Sequence, residues 1–324
     1  MCDGHLVLAK TDERGSTCFF VPRWRPDGGK NGVYIQRLKD KVGNRSNSSS
    51  EVEFNDASGV LVGEEGRGIS TIIEMATYTR LDCALSSAGF IRQAFAQALH
   101  YTRNRYAFGK ALAEQPLMTE LLADMALESE AATLLAMDLA SRFGSADALD
   151  IAWRRVMTPV AKFWNCKRAV GLTGEAMEVF GGNGYVETGP MGRLFREAPV
   201  NSIWEGSGNV MCLDVLRAIS RNPGDAHLVF DHLREVATQA PTVLTHVNKL
   251  RDALAQPADG LEREARRFTQ RLALVGQACL MLRHAGADAS AAFIGSRFDP
   301  DWGPVTGVGS GTTNPGALLR AAWA

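Results

Sequence analysis

The sequence lacks any paired-cysteine signature. Its six cysteines, Cys2, Cys18, Cys83, Cys166, Cys212 and Cys279, stand singly, with no CxxC among them. A disulfide framework is therefore not expected, and reduced thiols in a cytoplasmic compartment are. The six histidines show no HExxH or comparable spacing, so no metal is expected. No apolar run approaches the roughly 20 residues that span a bilayer. The opening "MCDGHLVLAK" has no basic segment followed by a long apolar one, and it reads as something other than a signal peptide. There is no charge excess either: 35 Lys and Arg face 36 Asp and Glu. Global electrostatics thus gives no reason to expect nucleic acid or membrane as a partner. No internal repeat is visible. What remains, 324 residues of which 45% are hydrophobic and 22% charged, suits a soluble globular chain with one large core or two smaller ones.

Three zones follow. Residues 1–63 read as β: "HLVLAK", "CFFVPRW", "VYIQRLKD" and "SSEVEFNDASGVLVG" are strand candidates between turn-rich pieces. Residues 64–220 switch to a helical period. One long helix, or two with a break, enters at the turn over Gly66 and Gly68 and ends before Gly109. A second starts at Pro116 and stops near Gly144; a third is expected to bend at Pro159; a short one begins near Val210. Residues 221–324 hold two more helical stretches, "APTVLTHVNKLRDALA" and "LEREARRFTQRLALVGQACLMLRHAG", then a tail rich in Gly, Pro and Thr. The tail segment "GVGSGTT" (307–313) lacks the lysine of a phosphate-binding P-loop and reads as flexible.

"NSIWEGSGNVMCLDV" (201–215) carries the chemistry. Glu205 sits between Trp204 and a Gly-Ser-Gly run at a helix entrance. A carboxylate beside an indole and a close-approach glycine suits a poorly hydrated general base; an exposed loop glutamate is the plainer alternative. "GSGN" before a helix suits a phosphate-bearing ligand, or simple capping by Ser207 or Asn209.

"RNRYAFGK" (103–110), "EVFGGNGY" (178–185) and "WEGSGNVM" (204–211) occur in one order and spacing. In that company the chain resembles the C-terminal helical domain of flavin-dependent acyl-CoA dehydrogenases. "KDKVGNRSNSSSEVEFNDASG" and "NSIWEGSGNVMCLDVLRAI" are similar to the branch linked to alkylation damage. The resemblance covers residues 1 to about 285. It implies a mainly α fold, with a four-helix bundle preceded by a partial antiparallel β-domain and followed by a helical extension. It implies FAD as cofactor, an acyl-CoA substrate and a homo-oligomer, a dimer of dimers in relatives. Glu205 would be the base. The alternative family position for a base falls on Thr79, which cannot serve. Arg80 would pair with the Glu205 carboxylate. Arg105 and Phe108 would reach the FAD of a neighbouring subunit; Ser207 and Asn209 would touch the adenine-diphosphate part of FAD, and Trp204 and Gly206 would also be cofactor-binding. The backbone at Gly182 would approach the partner's FAD. Glu178 stands where many relatives have glutamine, and Pro116 replaces another, for which Gln115 is a substitute.

Relatives carry a helical domain and further β-strands ahead of the point where this chain begins. The resemblance therefore implies a truncated member with weak or no FAD binding, an inactive oligomerising fragment being an alternative reading. It also suggests DNA as a possible partner. Arg263, Arg266, Arg267 and Arg271 fall opposite Leu261, Ala265, Phe268, Leu272 and Val275 on one helical pattern. A solvated amphipathic face is the commoner explanation, since residues 213–324 hold twelve Lys or Arg against eleven Asp or Glu, a net of +1.

Overall fold

A computed structural model describes residues 2–11, 15–303, 305–308 and 314–323. Contacts divide it into two units, Met1–Thr79 and Arg80–Ala324, so the boundary falls within a helix rather than at the composition change near residue 63.

The first unit is built on two small antiparallel sheets. β1 (Gly4–Thr11), β2 (Gly15–Pro22) and β5 (Val60–Val62) form one, in the order β1-β2-β5. β3 (Val33–Leu38) pairs with β4 (Ser50–Phe54) in the other, with a bulge between Ile35 and Arg37. The stretch expected as one strand over 49–63 is thus two, because "NDASG" turns the chain between them. Asn31 fixes that turn region from inside: its amide donates to the carbonyls of Pro22 (2.7 Å) and Ser58 (2.8 Å). The Glu51-to-Phe54 alternation buries Val52 partly, but Phe54 stays 38% exposed.

α1 (Gly68–Asn104) is a single unbroken helix that runs across the boundary between the units. In the second unit its remainder packs with α2 (Pro116–Arg142) and α3 (Ala148–Val179). Pro116 occupies the first turn of α2, where its missing N–H costs nothing. α3 starts at Asp147, whose carboxylate accepts from the Leu149 and Asp150 amides, and it runs on through Pro159 as one helix. Short helices α4 (Gly182–Tyr185) and α5 (Met191–Asn201) lead to α6 (Gly208–Arg221).

Beyond residue 221 come α7 (Pro223–Ala237), α8 (Pro241–Ala253), α9 (Ala258–Arg263), α10 (Ala265–His284) and α11 (Ala287–Arg297). Two of these, α7 and α11, fall where no helix was read from sequence. The stretch read as one helix from Leu261 onward breaks at Glu264, so Arg263 lies on α9 and the other three arginines on α10. α12 (Pro315–Trp323) stands in the tail, whereas the "GVGSGTT" reading lies largely outside the described residues.

The apolar stripes explain the assembly. Leu127, Trp153, Val156, Met157, Phe230, Leu233, Leu272 and Val275 share one core, so α7 and α10 close over α2 and α3 instead of forming a separate body. A second cluster joins Ile91, Phe95 and Leu99 of α1 to Met125 of α2 and Leu172 of α3. Eight fully buried side chains of this size, at roughly 1.5–3 kcal/mol each, outweigh any single polar contact in the unit.

Candidate active site around Glu205

α5 ends at Asn201, and residues 202–206 form the turns that carry the chain into α6. Amides of Ser202, Ile203 and Trp204 still bond back to Pro199 and Val200. At Glu205 the backbone turns left-handed, φ +56°, and Gly206 follows at φ +106°. A Cβ on Gly206 would meet Met211 Cε at 2.7 Å and would be strained at that φ besides, so glycine is required there. A non-glycine residue at positive φ costs of order 1 kcal/mol or more, and such strain collects at functional sites.

Two cations hold this loop. Arg80, on α1, donates from Nε to the Glu205 carbonyl oxygen (3.0 Å) and from Nη1 to Asp214 Oδ2 (3.0 Å). The expected pairing of Arg80 with the Glu205 carboxylate is therefore corrected: the arginine holds the glutamate's backbone, and its charge is met by Asp214 of α6. Asp214, 6% exposed, also receives Arg155 (3.3 Å) and Arg217 (3.5 Å). Lys162, on α3 and 1% exposed, donates from Nζ to the carbonyls of Asn201 (3.0 Å) and Gly206 (2.7 Å).

Asn201 is the polar centre of the loop's inner side. Its amide donates to Ser86 and Ser87 Oγ, both 3.1 Å, and its oxygen accepts the Trp204 indole N–H (3.1 Å). Next to it lie Cys83 and Cys166. Burial pushes the Cys166 thiol up to about 11 and raises Cys83 as well, so both stay protonated near neutrality. Burial also holds the Lys162 ammonium below the usual lysine range, against the pull of the Glu205 charge. Glu205 itself is partly buried, between Trp204 and Gly206.

Ser207 takes the N-cap position of α6 but makes no side-chain capping bond. The Asn209 oxygen accepts Arg266 Nη1 (2.8 Å), so it does not cap either. Simple capping is thereby set aside for both, and among the described residues no side chain takes the first-turn N–H groups of α6, which leaves them to a ligand.

The other expected residues lie elsewhere in the unit. β6 (Tyr106–Ala107) and β7 (Lys110–Ala111) form a two-residue hairpin whose turn is Phe108-Gly109, at φ +53° and +84°. Two positive φ values are the signature of the type I′ turn. Phe108 is 93% exposed at its tip, and Arg105 is exposed at its base. Gln115 donates to the Ala107 carbonyl (3.3 Å), so it braces the hairpin. Glu178 is exposed at the end of α3. Gly181 takes a positive φ (+58°), whereas Gly182 starts α4. Tyr101 joins these two regions by stacking on Phe180 (centroids 4.3 Å). Among the described residues no hydrogen bond links them to the Glu205 loop.

Sequence reading missed Lys162, Asn201 and Asp214. Lys162 was detectable: it is a charge in the apolar stripe that runs through Val156, Val160 and Phe163. Asn201 and Asp214 carry no comparable signal.

Residues 66–220 match the family model for the acyl-CoA dehydrogenase C-terminal domain. AidB of Escherichia coli is 48% identical over 284 residues, 87% of this chain and 52% of that protein. Acyl-CoA dehydrogenase family member 11 of Caenorhabditis elegans is 34% identical over 212 residues, 64% of this chain and 34% of its own length. Among solved structures, butyryl-CoA dehydrogenase of Megasphaera elsdenii superposes with a TM-score of 0.60 at 29% identity, over 68% of this chain and 57% of that one. Caenorhabditis elegans ACDH-11, solved with a CoA ligand, reaches 0.80 over 98% of this chain and 55% of its own, at an identity of 24% that speaks to fold alone. The chain spans about half the length of AidB. By its motifs, its fold and these likenesses, residues 66–220 of the chain belong to the acyl-CoA dehydrogenase family.

Proposed function

We propose that the chain takes part in the FAD-dependent α,β-dehydrogenation of an acyl-CoA thioester of short or branched chain, with Glu205 as the base. The observation that carries the reading is the strained Glu205 at φ +56°, its own carbonyl held by Arg80 and the next one by Lys162. Chain conformation alone would favour glycine there, so a role for the side chain explains the residue. The carboxylate removes the proton beside the thioester carbonyl, and the bond to carbon that it frees becomes the new double bond. The chemistry that bound FAD would supply is a hydride acceptor for the adjacent carbon.

The residues present fit the nucleotide end of FAD. Ser207 offers an unused hydroxyl at the start of α6, whose free N–H groups and positive dipole end suit phosphate. Arg105 and Phe108 reach outward from the hairpin and so suit the cofactor of a second subunit, in an assembly of two or four copies. Glu178 adds a charge near that phosphate, where an amide would donate. A direct test is acyl-CoA-dependent dye reduction with excess FAD: Glu205→Gln is inactive, whereas equal activity in both proteins removes the assignment.

A DNA-linked role is the second reading, and a cationic cavity favours it. Lys167, Lys249, Arg266, Arg267 and Arg271 line a space of about 740 Å³ with Trp164 and Trp302. Lys249 and Arg271 have no carboxylate within ion-pair distance among the described residues. A salt-sensitive gel shift that Arg267→Glu with Arg271→Glu abolishes supports this reading; a shift indifferent to both rejects it.

A further inference from the structure

We propose that Lys162 is the positioning residue for Glu205: from beneath the loop it clamps the carbonyls of Asn201 and Gly206 and so fixes where the carboxylate points. The inference rests on Glu205 as the base.

Lysine is almost never fully buried without a counter-charge, because taking an ammonium out of water costs several kcal/mol. Lys162 is 1% exposed, and among the described residues no carboxylate lies within ion-pair distance of it. Its hydrogen bonds go only to backbone oxygen. The groups whose charge acts on it are Cys166, Cys83, Arg80 and Glu205. Both thiols are held protonated by burial, and Arg80 repels. Of these groups Glu205 is the carboxylate, and its charge favours the buried ammonium. A leucine or methionine would fill the apolar stripe of α3 at lower cost, so the stripe's packing does not explain the lysine.

The choice of acceptors does. Asn201 and Gly206 bracket the turn residues, and the Gly206 carbonyl directly follows the left-handed Glu205. Arg80 holds the carbonyl in between, from the opposite helix. A strained conformation persists only where its surroundings over-determine it, and here successive carbonyls are each held by a cation. Without Lys162, the two carbonyls lose their donor in a buried setting and the loop is free to relax.

The test is hydrogen exchange on the full chain, read in the peptide that spans residues 201–215. In Lys162→Met the amides of Ser202, Ile203 and Trp204, now bonded to α5, exchange about tenfold faster than in the wild type. The control is Val160→Ala, a buried change on the same helix that leaves the loop's bonds intact; it leaves this peptide unchanged. If Lys162→Met cannot be purified, Lys162→Gln is measured instead, with the same readout. Loop exchange equal to that of the wild type, or equally raised in the control, overturns the clamp. In the dye assay, kcat falls about 100-fold with KM within twofold. Faster exchange with kcat intact keeps the clamp but removes Glu205 as base, so the two ideas fail separately.

Discussion

At Glu205 the proposed base sits on a backbone angle that costs stability. Glycine would adopt φ +56° without strain, so Glu205→Gly is expected to leave stability unchanged or raise it by up to about 1 kcal/mol in urea titration, while dehydrogenation is lost. Glu205→Gln keeps the strain and removes the base; a loss of about a thousandfold in kcat at unchanged stability is expected. Arg80→Met tests the other side of the loop. It strips the Glu205 carbonyl of its donor and leaves Asp214 to Arg155 and Arg217, at a cost of about 2–3 kcal/mol by denaturant unfolding. The glutamate was legible in the sequence because its neighbours Trp204 and Gly206 are unusual company for a surface charge. Its backbone angle was not, since glutamate gives no local sign of a left-handed turn. Nor was the true partner of Arg80, which lies 134 residues away.

Among helices, the buried ion quartet is the element most exposed to change. Arg297 of α11 reaches Asp124 (2.6 Å) and Glu128 (3.2 Å) of α2, and Arg168 of α3 meets Glu128 at 3.0 Å. All four side chains are 16% exposed or less. Arg297→Met leaves two carboxylates with one guanidinium and is expected to cost about 3–5 kcal/mol in urea unfolding. Burial pushes the Glu128 carboxyl up, yet Arg168 and Arg297 together outweigh it and hold it below the usual range. A carboxyl lowered on folding adds stability above its unfolded value, near 4.5, and that stability is lost as the pH falls through the folded value. Thermal midpoints are therefore expected to fall below about pH 4.5, and less steeply in Glu128→Gln. α2 and α3 were legible because their apolar stripes are long. α7 was not: it opens on Asn222-Pro223-Gly224, which reads as a turn. α5 was hidden by Gly192 and Pro199, and is fixed by tertiary packing on α3 instead.

Across the whole molecule, the single chain leaves apolar side chains facing outward that a soluble monomer would cover. Phe108 (93%), Tyr185 (84%) and Leu117 (83%) are the most exposed of them. Association through these residues is expected, and Phe108→Asp with Tyr185→Asp shifts the mass measured by light scattering toward the monomer. Charge and composition gave no hint of this, because scattered exposed aromatics look in sequence like core residues. The family was legible from three short motifs in order. The continuity of core between the bundle and residues 221–324 was not, because only coordinates show which stripes face each other.

The central claim is that Glu205 takes the proton beside an acyl-CoA carbonyl. Deuterium wash-in at that carbon, followed by mass spectrometry in heavy water with excess FAD, reads this step without requiring net oxidation. The account predicts steady incorporation with the wild type and background incorporation with Glu205→Gln. Equal incorporation in both would contradict it.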